Sequence, residues 1–238
     1  NPRYGLIDPY WGGVNAVVES MRNVVSVGAT PHALSDCLCF GNPEKLYQMW
    51  EFVEAVRGVS DACHAITLKD HPGYATPIIA GNVSFYNESK NGAIPPSPIV
   101  SCLGRLKDVN KTVPAHFQET DSTLIMIGDR KNELGGSVYY SLKNELGANV
   151  PKPNLEEVKN QLFALTDCID DGLVLSCHDI ADGGIASALA EMTFKNSIGC
   201  NVNIDSDLSP DKILFSETGG FVLEVLPKNI NVIKSVFS

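Results

Sequence analysis

Helical and strand-type apolar patterns alternate along both halves of this chain, and that order restricts the fold to the α/β or α+β class. Val14, Val17, Val18, Met21, Val24 and Val25 recur at three-and-four spacing on one helical face, with Gly28 where a C-terminal cap belongs, so a helix is expected over 14–27. Residues 36–40 read as a short apolar strand or loop. Asn42-Pro43-Glu44 then supplies an N-cap, a proline at the first helical position and an acid in the first turn. The helix it opens carries Leu46, Trp50, Val53, Val56, Val59, Cys63 and Ile66 on one face. It ends before 69–74, where His71-Pro72-Gly73 signals a turn. Strands are expected at 77–80, 83–86 and 99–103.

The polar segment 104–120 separates two regions with their own apolar elements, and the chain divides into domains at 1–112 and 113–238. In the second region, 123–127 reads as a strand and 133–137 as a glycine loop leading into a helix over 137–146. Asn154 and Glu157 make a capping box for a helix bearing Leu155, Val158, Leu162, Leu165 and Ile169, which Gly172 ends. A strand at 173–177, a loop at 178–184 and a helix at 185–194 form a second strand-loop-helix unit. Two further strands are expected, at 200–204 and 221–226.

The chain has 28 acidic against 18 basic residues, a net charge of −10, and no run of Lys or Arg. Backbone neutralisation of nucleic acid needs clustered positive charge, so that class of partner is excluded and small molecules or proteins are expected. No apolar stretch approaches the roughly 18 to 20 residues a bilayer span needs. The first residues lack the plan of a signal peptide, which points to the cytoplasm. Asn1 opens directly into Pro2-Arg3-Tyr4, as expected of a piece of a longer chain. Seven scattered cysteines without a CxxC pair read as reduced core thiols; Cys37 and Cys39 form a C-x-C, but no second pair stands at zinc-finger spacing.

Several positions could carry chemistry. Gly81-Asn82-Val83-Ser84 follows an apolar strand: glycine permits close approach to an anion, Asn offers an oxygen to magnesium and Ser a hydroxyl to substrate, while a bulge or tight bend is the alternative. His178-Asp179-x-x-Asp182-Gly183-Gly184 lies between a strand and a helix, where carboxylates could hold magnesium and free N–H groups could face a phosphate. Alternatively, Asp182 caps the helix and His178 is a satisfied loop histidine. Asp36, flanked by apolar residues, needs a partner or points outward from a strand end. Glu217, before Gly219-Gly220, is either a substrate-binding acid or a turn residue. No G-x-S-x-G elbow, Walker A loop or G-x-G-x-x-G junction is present.

Taken in order, Asn1–Tyr4, 22–29, Asp36-Cys37-Leu38-Cys39-Phe40-Gly41-Asn42-Pro43-Glu44, 52–58, Gly81-Asn82-Val83-Ser84-Phe85-Tyr86-Asn87-Glu88, 133–137, 176–184 and 214–217 resemble the phosphoribosylformylglycinamidine synthase family of purine biosynthesis, within the aminoimidazole ribonucleotide synthetase-like superfamily. The resemblance implies a two-domain fold with its N-terminal part truncated. The first domain would lack its early strands, and the second would be incomplete at its end. The family's large subunit holds two similar halves, and this chain looks like the second. The implied activity is ATP-dependent conversion of formylglycinamide ribonucleotide to its amidine: phosphorylation activates the amide oxygen, and ammonia from glutamine displaces phosphate. ATP and Mg2+ are the implied cofactors. The implied partners are the first half of the same subunit, a glutaminase subunit and a small bridging subunit.

Carried over by position, Asp36 and Gly81 would contact the nucleotide, Asn82 would ligate magnesium, and Ser84 would contact substrate. Asp179 matches a metal-binding aspartate of the related half by analogy. The family's catalytic histidine lies in the first half and His178 does not replace it, so no complete catalytic machinery is expected in this chain. Cys39 departs from the family's usual Asn, the loop at 67–74 is longer than usual, and the missing early strands would leave a sheet edge able to self-associate. The alternative function is a pseudo-active half that holds a nucleotide without turnover and serves assembly.

Overall fold

In the computed structural model, which describes residues 1–237, Asp8 ends one helix and caps the next. Helix α1 spans Pro2–Ile7, and α2 spans Pro9–Val25, with the Asp8 carboxylate accepting from the Trp11 N–H and Pro9 at the first position. This cap starts the helix five residues ahead of the apolar stripe that predicted it. Strand β1 (Thr30–Cys39) follows, then α3 (Leu46–Ala65), β2 (Ile78–Ser84), a small β3–β4 hairpin (Glu88–Ser89, Gly92–Ala93) and β5 (Ser97–Arg105). The first sheet has the order β2-β1-β5, with β1 parallel to β2 and antiparallel to β5.

Three expectations change here. The strands foreseen at 77–80 and 83–86 are one strand, because Gly81 and Asn82 continue the ladder opposite Asp36 and Cys37. Asn42 does not cap α3: its side chain accepts from the Glu44 N–H in a preceding turn, and the helix begins at Leu46. The predicted α3 face is only half inward. Leu46, Trp50 and Val53 are exposed, and the buried side runs through Ala55, Val59, Ala62 and Cys63.

Past a 3-10 turn at Val109–Lys111, the second region comprises β6 (Thr123–Ile127), α4 (Val138–Leu142), α5 (Leu155–Asp170), β7 (Ser176–Asp179), α6 (Gly184–Met192), α7 (Pro210–Phe215), β8 (Phe221–Val225) and α8 (Ile230–Val236). Its sheet, β6-β8-β7, is antiparallel throughout. The capping reading of Asn154 holds, since its side chain accepts from the Glu156 and Glu157 N–H groups. The strand expected at 200–204 does not form: this stretch is irregular, and Ile204 packs beside Ile185, Leu189 and Met192 instead of pairing. Alternating polar and apolar residues also fit an extended segment laid over a helix, and period alone does not separate the two cases.

One buried cluster joins the two regions. Val14, Val18 and Val25 of α2 meet Leu162, Leu165 and Ile169 of α5 and Leu223 and Val225 of β8. No helix of the described residues is long and apolar enough to cross a membrane. The linker is fastened to the second sheet by Glu224. This fully buried β8 carboxylate accepts from the N–H groups of Gln118 and Glu119 and the hydroxyls of Ser122 and Ser176, at 2.7–2.9 Å.

Candidate functional site

Register brings four of the sequence candidates onto neighbouring strands. In the parallel β1–β2 ladder Asp36 lies opposite Gly81, Cys37 opposite Asn82, and Cys39 opposite Ser84. Because side chains alternate across a strand, adjacent pairs use opposite faces. Asp36 points to the helix side, where its charge is felt by the buried Cys63 of α3 and its β5 neighbour Val100 packs against the core. Asn82 points the other way and donates to Cys37 Sγ at 3.5 Å.

Gly81 is required by Asp36. A Cβ at position 81 would overlap Asp36 Oδ1, so only glycine lets the carboxylate lie across the edge strand. Burial holds the Asp36 carboxyl above its ordinary pKa, and the Asn82 backbone N–H partly offsets this. Among the described residues that N–H is the one donor facing it, so a carboxylate with several lone pairs retains capacity for the hydroxyl or amino donors of a nucleoside. Ser84 ends β2 in a knot with Asn87, whose amide donates to Ser84 Oγ, Ser84 O and Phe40 O.

Asp179 stands apart, on β7 of the second sheet. It is buried with Oδ2 unpartnered, and Oδ1 lies 3.6 Å from His178 Nδ1. His178 is satisfied but lies on β7 opposite Val222 rather than in the expected loop, its ring held between Asp179 O and Glu191 Oε2. Asp182 is not a helix cap: Gly183 occupies that position without a side-chain bond, and Asp182 accepts from the Asn1 amide. Among the described residues no three His, Cys, Asp or Glu side chains converge to hold a metal ion. Asn82 and Asp179 lie on different sheets, on β2 and β7. Asn82 alone, at an exposed edge, offers one amide oxygen, which suits an ion already ligated by phosphates and water.

Glu217 is neither a turn residue nor an open substrate acid. It is 2% exposed and accepts from the Tyr4 hydroxyl and the N–H groups of Val138 and Gly183, with the Asn1 amide at 3.5 Å. One carboxylate thus ties the chain's first residues to the glycine loop and to the 178–184 loop. Tyr4→Phe is expected to cost about 1.5–3 kcal/mol of stability, the range for a hydrogen bond to a charged group. Burial raises the Glu217 pKa above 4.5, against the lowering effect of its donors. The folded state therefore binds this proton more tightly than the unfolded chain. Glu217's contribution to stability declines as pH rises from its ordinary value through the raised one. Urea unfolding across that window should show the decline in the native protein and its loss in Glu217→Gln.

Two models of one family match nearly the whole chain: AIR synthase related protein, N-terminal domain, over residues 1–106, and its C-terminal domain over 119–234. The chain belongs to the AIR synthase related family. Among curated proteins, the phosphoribosylformylglycinamidine synthase subunit PurL of Methanothrix thermoacetophila is 46% identical over 228 residues, 94% of this chain and 30% of that protein. This chain therefore spans about 30% of the length of the curated relative. A solved structure, T. maritima PurL complexed with FGAR, superposes with a TM-score of 0.74 over 98% of this chain and 38% of that one, at 19% identity. Another, T. maritima PurL complexed with ATP, gives 0.65 over 97% and 35%, again at 19% identity. At such identity the superpositions show the fold.

Sequence reasoning passed over two residues that the fold makes prominent, Arg22 and Arg130, both buried. Arg22 falls within the apolar stretch of α2, and a lone Arg there was a legible signal.

Proposed function

We propose that this chain is the second synthetase half of a phosphoribosylformylglycinamidine synthase and supplies nucleotide and substrate contacts from its β1–β2 ladder. The carrying observation is the seating of the Asp36 carboxylate over Gly81 at one register position, with acceptor capacity left over. In this reading Asp36 and the Gly81 backbone receive ATP, Ser84 contacts formylglycinamide ribonucleotide, and Asn82 turns its amide oxygen to a magnesium ion carried on the triphosphate. The bound ion would neutralise phosphate charge. The reaction is a carbon–nitrogen ligation: the amide oxygen takes the γ-phosphoryl group of ATP and ADP leaves, ammonia attacks the carbon that bears this oxygen, and the carbon–oxygen bond breaks to release phosphate. The first half of the subunit would contribute the catalytic histidine, and a glutaminase with a small bridging subunit would deliver ammonia.

A second reading has its own observation. Ile79, Ile99 and Leu103 of β2 and β5 are each more than half exposed on a sheet whose other side is covered by helices. Such a surface fits pairing with the first half, and a half kept for assembly would need it. Asn82→Ala separates the two readings in the complete assembly. The enzymatic reading expects ATP turnover to fall about tenfold or more, as for loss of a transition-state contact. Unchanged turnover with weakened assembly would leave only the structural role.

A further inference from the structure

Arg22 leaves α2 between Met21 and the buried Val25 and is 5% exposed, yet among the described residues its guanidinium has no hydrogen bond and no carboxylate within 4 Å. Its Nε is sealed from solvent without a partner. Arg130, in the loop after β6, is 8% exposed. Its Nη2 donates to Gly219 O at 2.8 Å, its Nη1 reaches Ser216 O at 3.5 Å, and its Nε is also unpartnered. Burial, and next the charge of Arg22, pull the Arg130 pKa down to about 10, so the Arg130 guanidinium remains cationic at neutral pH. Glu133 and Asp129 act on Arg130 from beyond ion-pair distance, and two adjacent buried cations with no carboxylate within 4 Å among the described residues are costly in a low-dielectric interior, a cost that a bound anion relieves.

The surroundings make room for one. Gly219 is the wall shared by both arginines: a Cβ there would overlap the Arg22 guanidinium, and one on Gly220 would come within 3.1 Å of Arg130 Nη2. Arg22, Gly128, Lys131, Asn154, Gly219 and Gly220 border a cavity of about 40 Å³. That exceeds the roughly 10–15 Å³ that one water requires, while leaving no space for a sugar ring or base. The N-terminus of the 16-residue α5 opens on the same cavity and adds its positive end. Asp129 and Glu157 also line it, but both are exposed, as is Lys131, so water screens them while the two arginines lie buried.

We propose that Arg22 forms the floor of a binding site for a tetrahedral oxyanion of the phosphate class, distinct from the β1–β2 nucleotide contacts, with Arg130 adding its positive charge from behind the Gly219-Gly220 wall. A planar guanidinium presents paired N–H groups that match two oxygens of such an ion. The geometry admits either a free ion or the phosphoryl end of a ligand whose remainder stays outside.

Equilibrium dialysis of the intact protein against radiolabelled inorganic phosphate, in buffer free of phosphate and sulfate, tests this. Saturable binding at one site per chain is expected, weakened at least about tenfold in Arg22→Met, less so in Arg22→Lys, and little changed in Lys131→Met. Glycerol 3-phosphate is the second arm. Displacement of the label assigns the pocket to a phosphoryl terminus, and failure to displace assigns it to the free ion. Thermal unfolding gives a second readout: phosphate should raise the wild-type midpoint and leave that of Arg22→Met unmoved, and without phosphate the variant should be at least as stable as the wild type. If Arg22→Met does not fold, Gly219→Ala takes its place, with the same loss expected. Non-saturable uptake, or equal binding by wild type and variant, means an adventitious ion only and overturns the proposal.

Discussion

Replacing Glu224 by Leu lowers the unfolding free energy by about 4 kcal/mol or more, because four donors lose their acceptor inside the protein and each unsatisfied group costs roughly 1–3 kcal/mol, less the relief of removing a buried charge. The donors come from three places: the linker at Gln118 and Glu119, Ser122 ahead of β6, and Ser176 at the start of β7. The loss is therefore shared between the second sheet and the segment that connects it to the first. Glu224→Gln keeps one acceptor oxygen and should lose about half as much. Urea unfolding of the three proteins measures this, and a change below about 1 kcal/mol for the Leu variant would mean that water replaces the carboxylate at little cost.

The second large effect concerns binding. Gly81→Val places a branched side chain where Asp36 Oδ1 now lies and must drive the carboxylate out of its seat. The expected result is a loss of ATP affinity of about 100-fold, near 2.7 kcal/mol. Folding should change little, because β2 is an exposed edge strand and valine suits strands. Loss of binding without loss of stability is the signature that separates a site residue from a packing residue.

Much of this architecture is legible in the chain because local signals and packing agree. The 123–127 strand has the bounds its apolar run indicates, and Asn154 caps α5 as its spacing implies. Disagreement arises where partners distant in sequence decide. Leu46, Trp50 and Val53 continue a helical stripe that nothing in the described residues covers. Residues 200–204 have strand-like alternation without a strand to pair with. Asp8 was hidden because its cap precedes Gly12-Gly13, which interrupts the apolar pattern.

The candidate site was half visible. Asp36, Gly81, Asn82 and Ser84 were chosen from residue chemistry and family likeness, and the ladder then makes them neighbours. That Asp36 and Asn82 face opposite sides depends on register, which no motif encodes. Glu217 drew notice as an acid beside glycines, but its role as a clasp rests on Tyr4 and Asn1, more than 200 residues away. Arg130 shows its unusual burial only once the turn at Gly219 folds over it.

Calorimetric titration of the intact protein with ATP, with and without magnesium, beside Asp36→Ala, tests the central claim most directly. Magnesium-dependent binding that weakens about tenfold or more in the variant is the predicted result, as for loss of a charged hydrogen-bond acceptor. Equal affinity in the two proteins would contradict the assignment of the nucleotide to the β1–β2 ladder.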